Sequence, residues 1–151
     1  REAQELHRNG VRIRRLGRVE GVSKGLLESI TRAEELTRDD RRLVLNVAFN
    51  YGGRAELVEA VRAIVREGIA AQEIDEATIA RHLWTGDAPD PDLIIRTGGD
   101  RRLSNFLIWQ AAYAEVYITP SYWPDFGRDA LYQALLDYED RDRRFGGLAP
   151  I

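Results

Sequence analysis

Residues 92–124 read DLIIRTGGDRRLSNFLIWQAAYAEVYITPSYWP, and the fold turns on them. Leu93-Ile94-Ile95 is a short apolar run of the kind that forms a buried strand. It ends in Arg96-Thr97-Gly98-Gly99-Asp100, a loop with glycines at its bend. Ser104 then stands where a helix N-cap belongs, and Phe106, Leu107, Gln110, Ala111 and Ala114 follow at helical spacing. Glu115-Val116-Tyr117-Ile118 reads as the next strand, closed by Pro120. A strand, a glycine bend and a helix N-terminus together would gather unpaired backbone N–H groups in one concave spot. Arg96 and Arg102 bracket that spot, and guanidinium groups match phosphate oxygens bidentately. The stretch is thus expected to form a phosphate site at the C-terminal end of a strand, where open α/β sheets bind ligands. A surface arginine cluster, with Ser104 as a plain cap, is the competing reading of the same residues.

Outward from this stretch the chain alternates. Arg1 to Leu6 reads as the tail of a helix stopped at Gly10. Val11, Ile13 and Leu16 make a strand; Ser23 caps a helix with Leu26, Leu27, Ile30, Ala33 and Leu36 on one face. Leu43 to Phe49 is nearly unbroken in apolar residues, which suits a central parallel strand covered on both faces. Asn50-Tyr51-Gly52-Gly53-Arg54 turns into a helix whose buried face is Leu57, Val58, Val61, Ile64 and Val65. Asp75 caps a short helix, and a last helix carries Leu131, Leu135 and Tyr138. Strands alternating with helices predict an α/β fold, a mostly parallel sheet flanked by helices, within a single domain over residues 1–151.

Composition removes several classes of function. The 151 residues carry a net charge of −3, which gives no support to nucleic-acid binding. The absence of cysteine excludes disulfides and thiolate metal sites. No run reaches the length of a membrane span. Methionine is absent and the chain opens on a helix tail, so it reads as the C-terminal part of a longer protein. His7 and His82 have no second histidine at ligand spacing, and no triad order, HExxH or GxGxxG occurs. Gly52-Gly53-Arg54 either lines the same cleft or is a tight βα turn, the simpler reading on spacing alone. Glu115 is the one acid placed to reach Mg²⁺ on bound phosphates, or else a solvated acid. Arg143 and Arg144 suit a helix C-terminus on dipole grounds, or a tail reaching a partner subunit's phosphate site.

Taken together, these segments resemble the cis-prenyltransferase family, the undecaprenyl or decaprenyl diphosphate synthases. The similarity lies in Leu45-Asn46-Val47-Ala48 with Asn50-Tyr51-Gly52-Gly53-Arg54, and in Thr85-Gly86-Asp87 before Pro89-Asp90-Pro91-Asp92-Leu93. It continues through Ile95-Arg96-Thr97-Gly98-Gly99, Arg102-Leu103-Ser104-Asn105-Phe106-Leu107 with Trp109-Gln110, and Ala114-Glu115. Trp123-Pro124-Asp125-Phe126 and Arg143-Arg144-Phe145-Gly146-Gly147 complete it.

The resemblance implies a Z-selective condensation of isopentenyl diphosphate with an allylic diphosphate. It implies that Arg96, Arg102, Leu103 and Ser104 hold the isopentenyl diphosphate and that Glu115 helps hold Mg²⁺. Arg144 would lie on an arm reaching the partner subunit's site in a homodimer, and Asn50, Gly52, Gly53 and Arg54 would line the cleft. It further implies a cytoplasmic enzyme with peripheral membrane association through its lipid product. Two departures stand out. Arg101 occupies a position where the family often has a metal-binding histidine. The family's Asp-Gly-Asn-x-x-Arg segment, with its main aspartate, is absent and would lie upstream of Arg1. No catalytic residue is therefore expected in this chain, and the chain alone is expected to be inactive. A non-catalytic subunit and a generic phosphate-binding α/β domain are the alternatives.

Overall fold

The computed structural model describes residues 2–142. They fall into two compact units, one ending at Ala88 and the other beginning at Pro89. Arg1, upstream of which the family aspartate is expected, lies outside the described residues, and so does the arginine tail from Arg143, including Arg144.

In the first unit, α1 (Glu2–Arg8) ends at Gly10, whose φ of +70° is the left-handed conformation that glycine adopts without strain. β1 (Val11–Leu16) follows. α2 (Lys24–Leu36) then returns the chain to β2 (Leu43–Ala48), which pairs parallel to β1 from Val11↔Leu43 to Leu16↔Ala48. α1 and α2 pack against β1. Thr37 seals that junction, since its hydroxyl accepts the Ile13 N–H and donates to the Ala33 carbonyl, each at 2.9 Å. α3 (Gly53–Arg66) packs on α4 (Glu76–His82), and the Asp75 carboxylate caps α4 through the Thr78 N–H at 2.7 Å. Val11, Leu16, Ala60, Ile64 and Leu83 are the buried apolar residues here.

Several expected coverings are missing. β2 carries apolar side chains on both faces, yet Leu43, Val44, Leu45 and Val47 are exposed. Its run suits an interior strand, but among the described residues only β1 lies beside it. Val58, Val61 and Val65 on α3 are likewise exposed; of the expected face Ile64 is buried and Leu57 half-buried, and the helix also buries Glu56 and Ala60. α2 has no fully buried residue, and the Ser23 side chain makes no capping bond although the residue stands at the N-cap.

In the second unit, β3 (Leu93–Arg96) pairs parallel to β4 (Glu115–Ile118), from Leu93↔Glu115 to Arg96↔Ile118. α5 (Arg128–Glu139) packs against β4 and buries Ala134, while Leu131 and Leu135 on the expected face stay exposed. The helix expected behind Ser104 does not form. Residues 104–114 are a string of turns, with Ser104, Asn105 and Leu107 at φ of +51°, +64° and +45°. Right-handed helix needs φ near −63°, so these three residues break the pattern that the apolar spacing suggests.

Candidate anion site

The site grows from the end of β3. Arg96 is the last residue of that strand, and its Nη2 donates to Asp100 Oδ2 at 3.2 Å. Arg102 Nη2 donates to the same oxygen at 2.5 Å. One carboxylate oxygen therefore gathers both guanidinium groups that the sequence brackets around the glycine bend. Asp100 is a residue to which sequence reasoning gave no role. Its signal was legible, because an acid four residues after one arginine and two before another can reach both.

Beside Arg96 lies a cavity of about 230 Å³ lined by Ile94, Ile95, Arg96, Thr97, Leu103 and Phe106. Its lining sets one guanidinium, that of Arg96, against the apolar side chains of Ile94, Ile95, Leu103 and Phe106. Arg96 Nε is buried without an acceptor among the described residues. A buried donor of this kind is costly unless a partner meets it, and an anionic oxygen is the partner a guanidinium prefers.

The backbone contributes less than expected. Gly98 (φ +86°) and Gly99 (φ +76°) do form the bend, but their N–H groups are not free. Gly98 donates to the Ser121 carbonyl and Gly99 to the Thr119 carbonyl, each at 2.9 Å. These bonds extend the β3–β4 pairing past the strand ends. With no helix N-terminus at Ser104 and both glycine amides used, attraction for an anion rests on the arginine side chains. Ser104 itself is exposed and does not line the cavity.

Glu115 lies apart from these groups. It is paired with Leu93 at the start of the strand pair, whereas Arg96 is paired with Ile118 at the end. Three residues of strand separate the two positions by roughly 10 Å. Its carboxylate accepts from Arg141 Nη1 at 2.9 Å. Arg141 also donates to Asp137 and to the Val116 carbonyl, and the bonds to Glu115 and then Asp137 raise its pKa. Among the described residues no group of three or more histidine or acidic side chains is placed to share a metal ion. A single carboxylate held by an arginine, with Arg101 rather than a histidine in the loop, does not fit a Mg²⁺ site on this chain's residues alone.

Asn50, Gly52, Gly53 and Arg54 belong to the first unit. Asn50 is left-handed (φ +52°), and its Nδ2 donates to the Glu20 carbonyl at 3.0 Å, tying this turn to the loop after β1. Gly53 opens α3. Tyr51 Oη donates to Glu56 Oε2 at 2.5 Å, and the other oxygen of Glu56 accepts the Trp84 N–H at 2.8 Å. Glu56, only 1% exposed, is thus the anchor of the turn, and no local sequence signal marks it as buried.

The prenyltransferase family model for undecaprenyl diphosphate synthase matches residues 1–146. An isoprenyl transferase of Heliobacterium mobile is 52% identical over 98% of this chain and 58% of its own length. Isoprenyl transferase 2 of Bradyrhizobium diazoefficiens is 49% identical over 95% of this chain and again 58% of its own. Among solved structures, lavandulyl diphosphate synthase from Lavandula x intermedia, in complex with dimethylallyl diphosphate, superposes with a TM-score of 0.90. It is 38% identical, and the match covers 96% of this chain and 65% of that one. The chain therefore spans less than two thirds of the length of these relatives.

Proposed function

Because the chain belongs to the undecaprenyl diphosphate synthase family, we propose that it is the diphosphate-binding part of a prenyltransferase that condenses isopentenyl diphosphate with an allylic diphosphate. The observation that carries this reading is the convergence of Arg96 and Arg102 on one oxygen of Asp100, beside a cavity with apolar walls. Isopentenyl diphosphate has the same two-part character, an anionic head and a short branched hydrocarbon. Arg96 would offer its unpartnered Nε–H to a phosphate oxygen, and Arg102 would swing from Asp100 to a second. Leu103 and Phe106 would take the isoprenyl chain.

An allylic diphosphate as the second substrate is supported by the dimethylallyl diphosphate bound to the lavender enzyme. In the condensation the allylic carbon–oxygen bond breaks, a carbon–carbon bond forms to the isopentenyl terminus, and diphosphate and a proton leave. Cationic donors near the phosphates would steady the charge that develops on them, and the apolar walls would keep water from the allylic cation. Z geometry of the new double bond and a polyprenyl product belong to the same proposal.

Asn50, Gly52, Gly53 and Arg54 are proposed to line a cleft, Ser104 to contact the diphosphate after a local rearrangement, and Arg144 to serve a partner subunit in a homodimer. For Glu115 to meet a metal, Arg141 would have to release it. Mg²⁺ dependence is proposed for the full-length enzyme, and no step above is routed through the ion. Among the described residues no helix is long and apolar enough to cross a membrane. A cytoplasmic location with peripheral contact through the lipid product is proposed.

The Asp-Gly-Asn-x-x-Arg segment expected from the resemblance does not occur in the 151 residues. A place for its aspartate upstream of Arg1 belongs to this proposal. The absence favours an inactive chain when tested alone, and it supports one second reading, a non-catalytic prenyltransferase subunit. In the full-length enzyme Arg102→Ala is expected to weaken isopentenyl diphosphate binding more than allylic binding. Two lost charge-assisted bonds are worth roughly 3–6 kcal/mol before solvent compensates. Calorimetric titration of each substrate checks this, and equal losses for both would count against the assignment.

A further inference from the structure

We propose that the first unit carries a second anion site, a cavity between the end of β1 and α3 that binds a small phosphate ester with a flat organic part. None of its lining residues belongs to the cavity beside Arg96, and the inference does not depend on the chemistry proposed above.

The cavity measures about 600 Å³ and opens at the C-terminal end of β1, the end at which α/β sheets bind ligands. β1 and the loop after it supply Arg15 and Arg18, and α3 supplies Arg62 and Arg66. Two acids, Glu20 and Glu59, share the lining, so guanidinium groups outnumber carboxylates there two to one in a chain whose net charge is −3. Arg62 and Arg66 stand one turn apart on the same face of α3, where like charges repel. Arg62 is paired with Glu59 at 2.7 Å. Arg15 Nη1 donates to the Gly17 carbonyl, and Arg66 Nε donates to the Arg62 carbonyl at 3.1 Å, bonds that bring no counter-charge. Among the described residues no carboxylate forms an ion pair with Arg15, Arg18 or Arg66. His82 also lines the cavity, but both its ring nitrogens already have partners, the Thr78 carbonyl and Glu67.

Charge and size together select the ligand. Three unpaired guanidinium groups set against Glu20 leave an excess of two positive charges, and a phosphate ester carries about −1.5 to −2 at pH 7. Guanidinium groups also match phosphate oxygens bidentately. The volume exceeds the 230 Å³ beside Arg96 and falls among small-molecule pockets of about 300–1,000 Å³, so there is room for more than the phosphoryl group. Trp84 and Val19 supply the surface for that remainder. Trp84 is half-buried and meets Tyr51 edge-on, with ring centroids 5.6 Å apart, which holds the indole in one orientation. An indole so fixed favours a planar group that can stack on it.

The test titrates the 151-residue chain with adenosine monophosphate and with inorganic phosphate, and follows the Trp84 indole N–H by nuclear magnetic resonance. Loss of that signal in Trp84→Phe assigns it. A saturable shift with adenosine monophosphate is expected, at an affinity about tenfold or more above that for inorganic phosphate. The double variant Arg62→Gln, Arg66→Gln should weaken it about tenfold or more, while Arg102→Ala leaves it unchanged. Glutamine is a good helix former at these exposed positions. Arg18→Gln, in the loop after β1, carries the same expectation if the double variant fails to fold. The proposal is overturned by no shift at Trp84, by equal affinity for inorganic phosphate (an adventitious ion only), or by an affinity that survives neutralising the arginines. Failure of the isopentenyl diphosphate titration would strike the proposed function and leave this result untouched.

Discussion

Two strands in this molecule run into paired glycines, and the two turns are held in opposite ways. β2 leads to Asn50-Tyr51-Gly52-Gly53-Arg54, fixed from within by the buried Glu56 and its bonds to Tyr51 and Trp84. β3 leads to Arg96-Thr97-Gly98-Gly99-Asp100, fixed at its rim by arginines on Asp100 that remain partly open to water. The residues past each turn differ too. Arg54-Ala55-Glu56-Leu57 are good helix formers, and α3 starts at once. Asp100-Arg101-Arg102-Leu103-Ser104-Asn105 leads into left-handed residues and no helix. A glycine pair after a strand thus specifies only a bend. Whether the bend is structural or open to a ligand depends on where the neighbouring charges find partners.

The sharpest way to break this contrast is at the structural turn. Gly17, at the end of β1, has φ of +119°, and a Cβ there would lie 2.2 Å from the Phe49 carbonyl oxygen. Both the conformation and the space forbid a side chain, and backbone must move to admit one. Gly17→Ala is expected to cost more than about 3 kcal/mol, read as a lowered urea midpoint. An unchanged midpoint would show that the turn relaxes freely.

Glu56→Ala comes next. It removes the carboxylate that accepts from the Tyr51 hydroxyl and the Trp84 N–H at a half-buried place. Roughly 2–4 kcal/mol of stability should be lost, by the same measurement. Glu56→Gln keeps one acceptor oxygen and should lose about half as much. A loss below about 1 kcal/mol would mean that the two groups find other partners.

Much of this was legible in the sequence, and the exceptions have physical causes. Helical spacing of apolar residues located α2, α3 and α5, and short apolar runs located β2 and β3, because regular elements place their apolar residues at such spacings. The Arg96–Arg102 pairing was legible because six residues around a glycine bend cannot carry two arginines far apart. The helix behind Ser104 was misread because Phe106, Leu107, Gln110, Ala111 and Ala114 keep helical spacing, while Ser104, Asn105 and Leu107 take left-handed φ. Asn105 was the available warning, since asparagine tolerates that conformation. Free glycine amides were expected at the bend, but parallel pairing beyond β3 consumes them, and that pairing depends on Thr119 and Ser121 some twenty residues onward. Glu56 was invisible for the same reason, as its partner Trp84 is distant in sequence.

At the ligand-facing turn, smaller effects on stability and larger effects on binding are expected. The side chains of Arg96, Arg102 and Asp100 are 30%, 65% and 44% exposed, so their ion pairs are screened by water. Asp100→Asn should change stability by less than about 1 kcal/mol. It also removes the carboxylate that competes with an incoming phosphate. Affinity for isopentenyl diphosphate in the full-length enzyme should rise about two- to fivefold, the equivalent of such a pair. A fall in affinity at unchanged stability would show that Asp100 aims the arginines rather than competing for them.

The smallest expected effect separates the two regions by pH. His82 closes α4 in the first unit; its Nδ1 lies 2.7 Å from the Thr78 carbonyl and its Nε2 lies 3.0 Å from the carboxylate of Glu67, just past the end of α3. The Thr78 carbonyl first, and the Glu67 carboxylate second, favour the protonated ring and raise the His82 pKa. The folded protein therefore keeps this proton to a higher pH than the unfolded chain does. The resulting stabilisation is whole below about pH 6.5, the ordinary histidine value, and is lost as pH rises through the higher folded value. Melting temperature of the wild type should fall, relative to Glu67→Gln, between about pH 6 and pH 8, the range that brackets the ordinary value. The two proteins should draw closer at the upper end, because the contact that distinguishes them exists only while the ring is charged. Parallel melting curves across that range would mean that the α3–α4 packing, and not this contact, holds the structural turn in place.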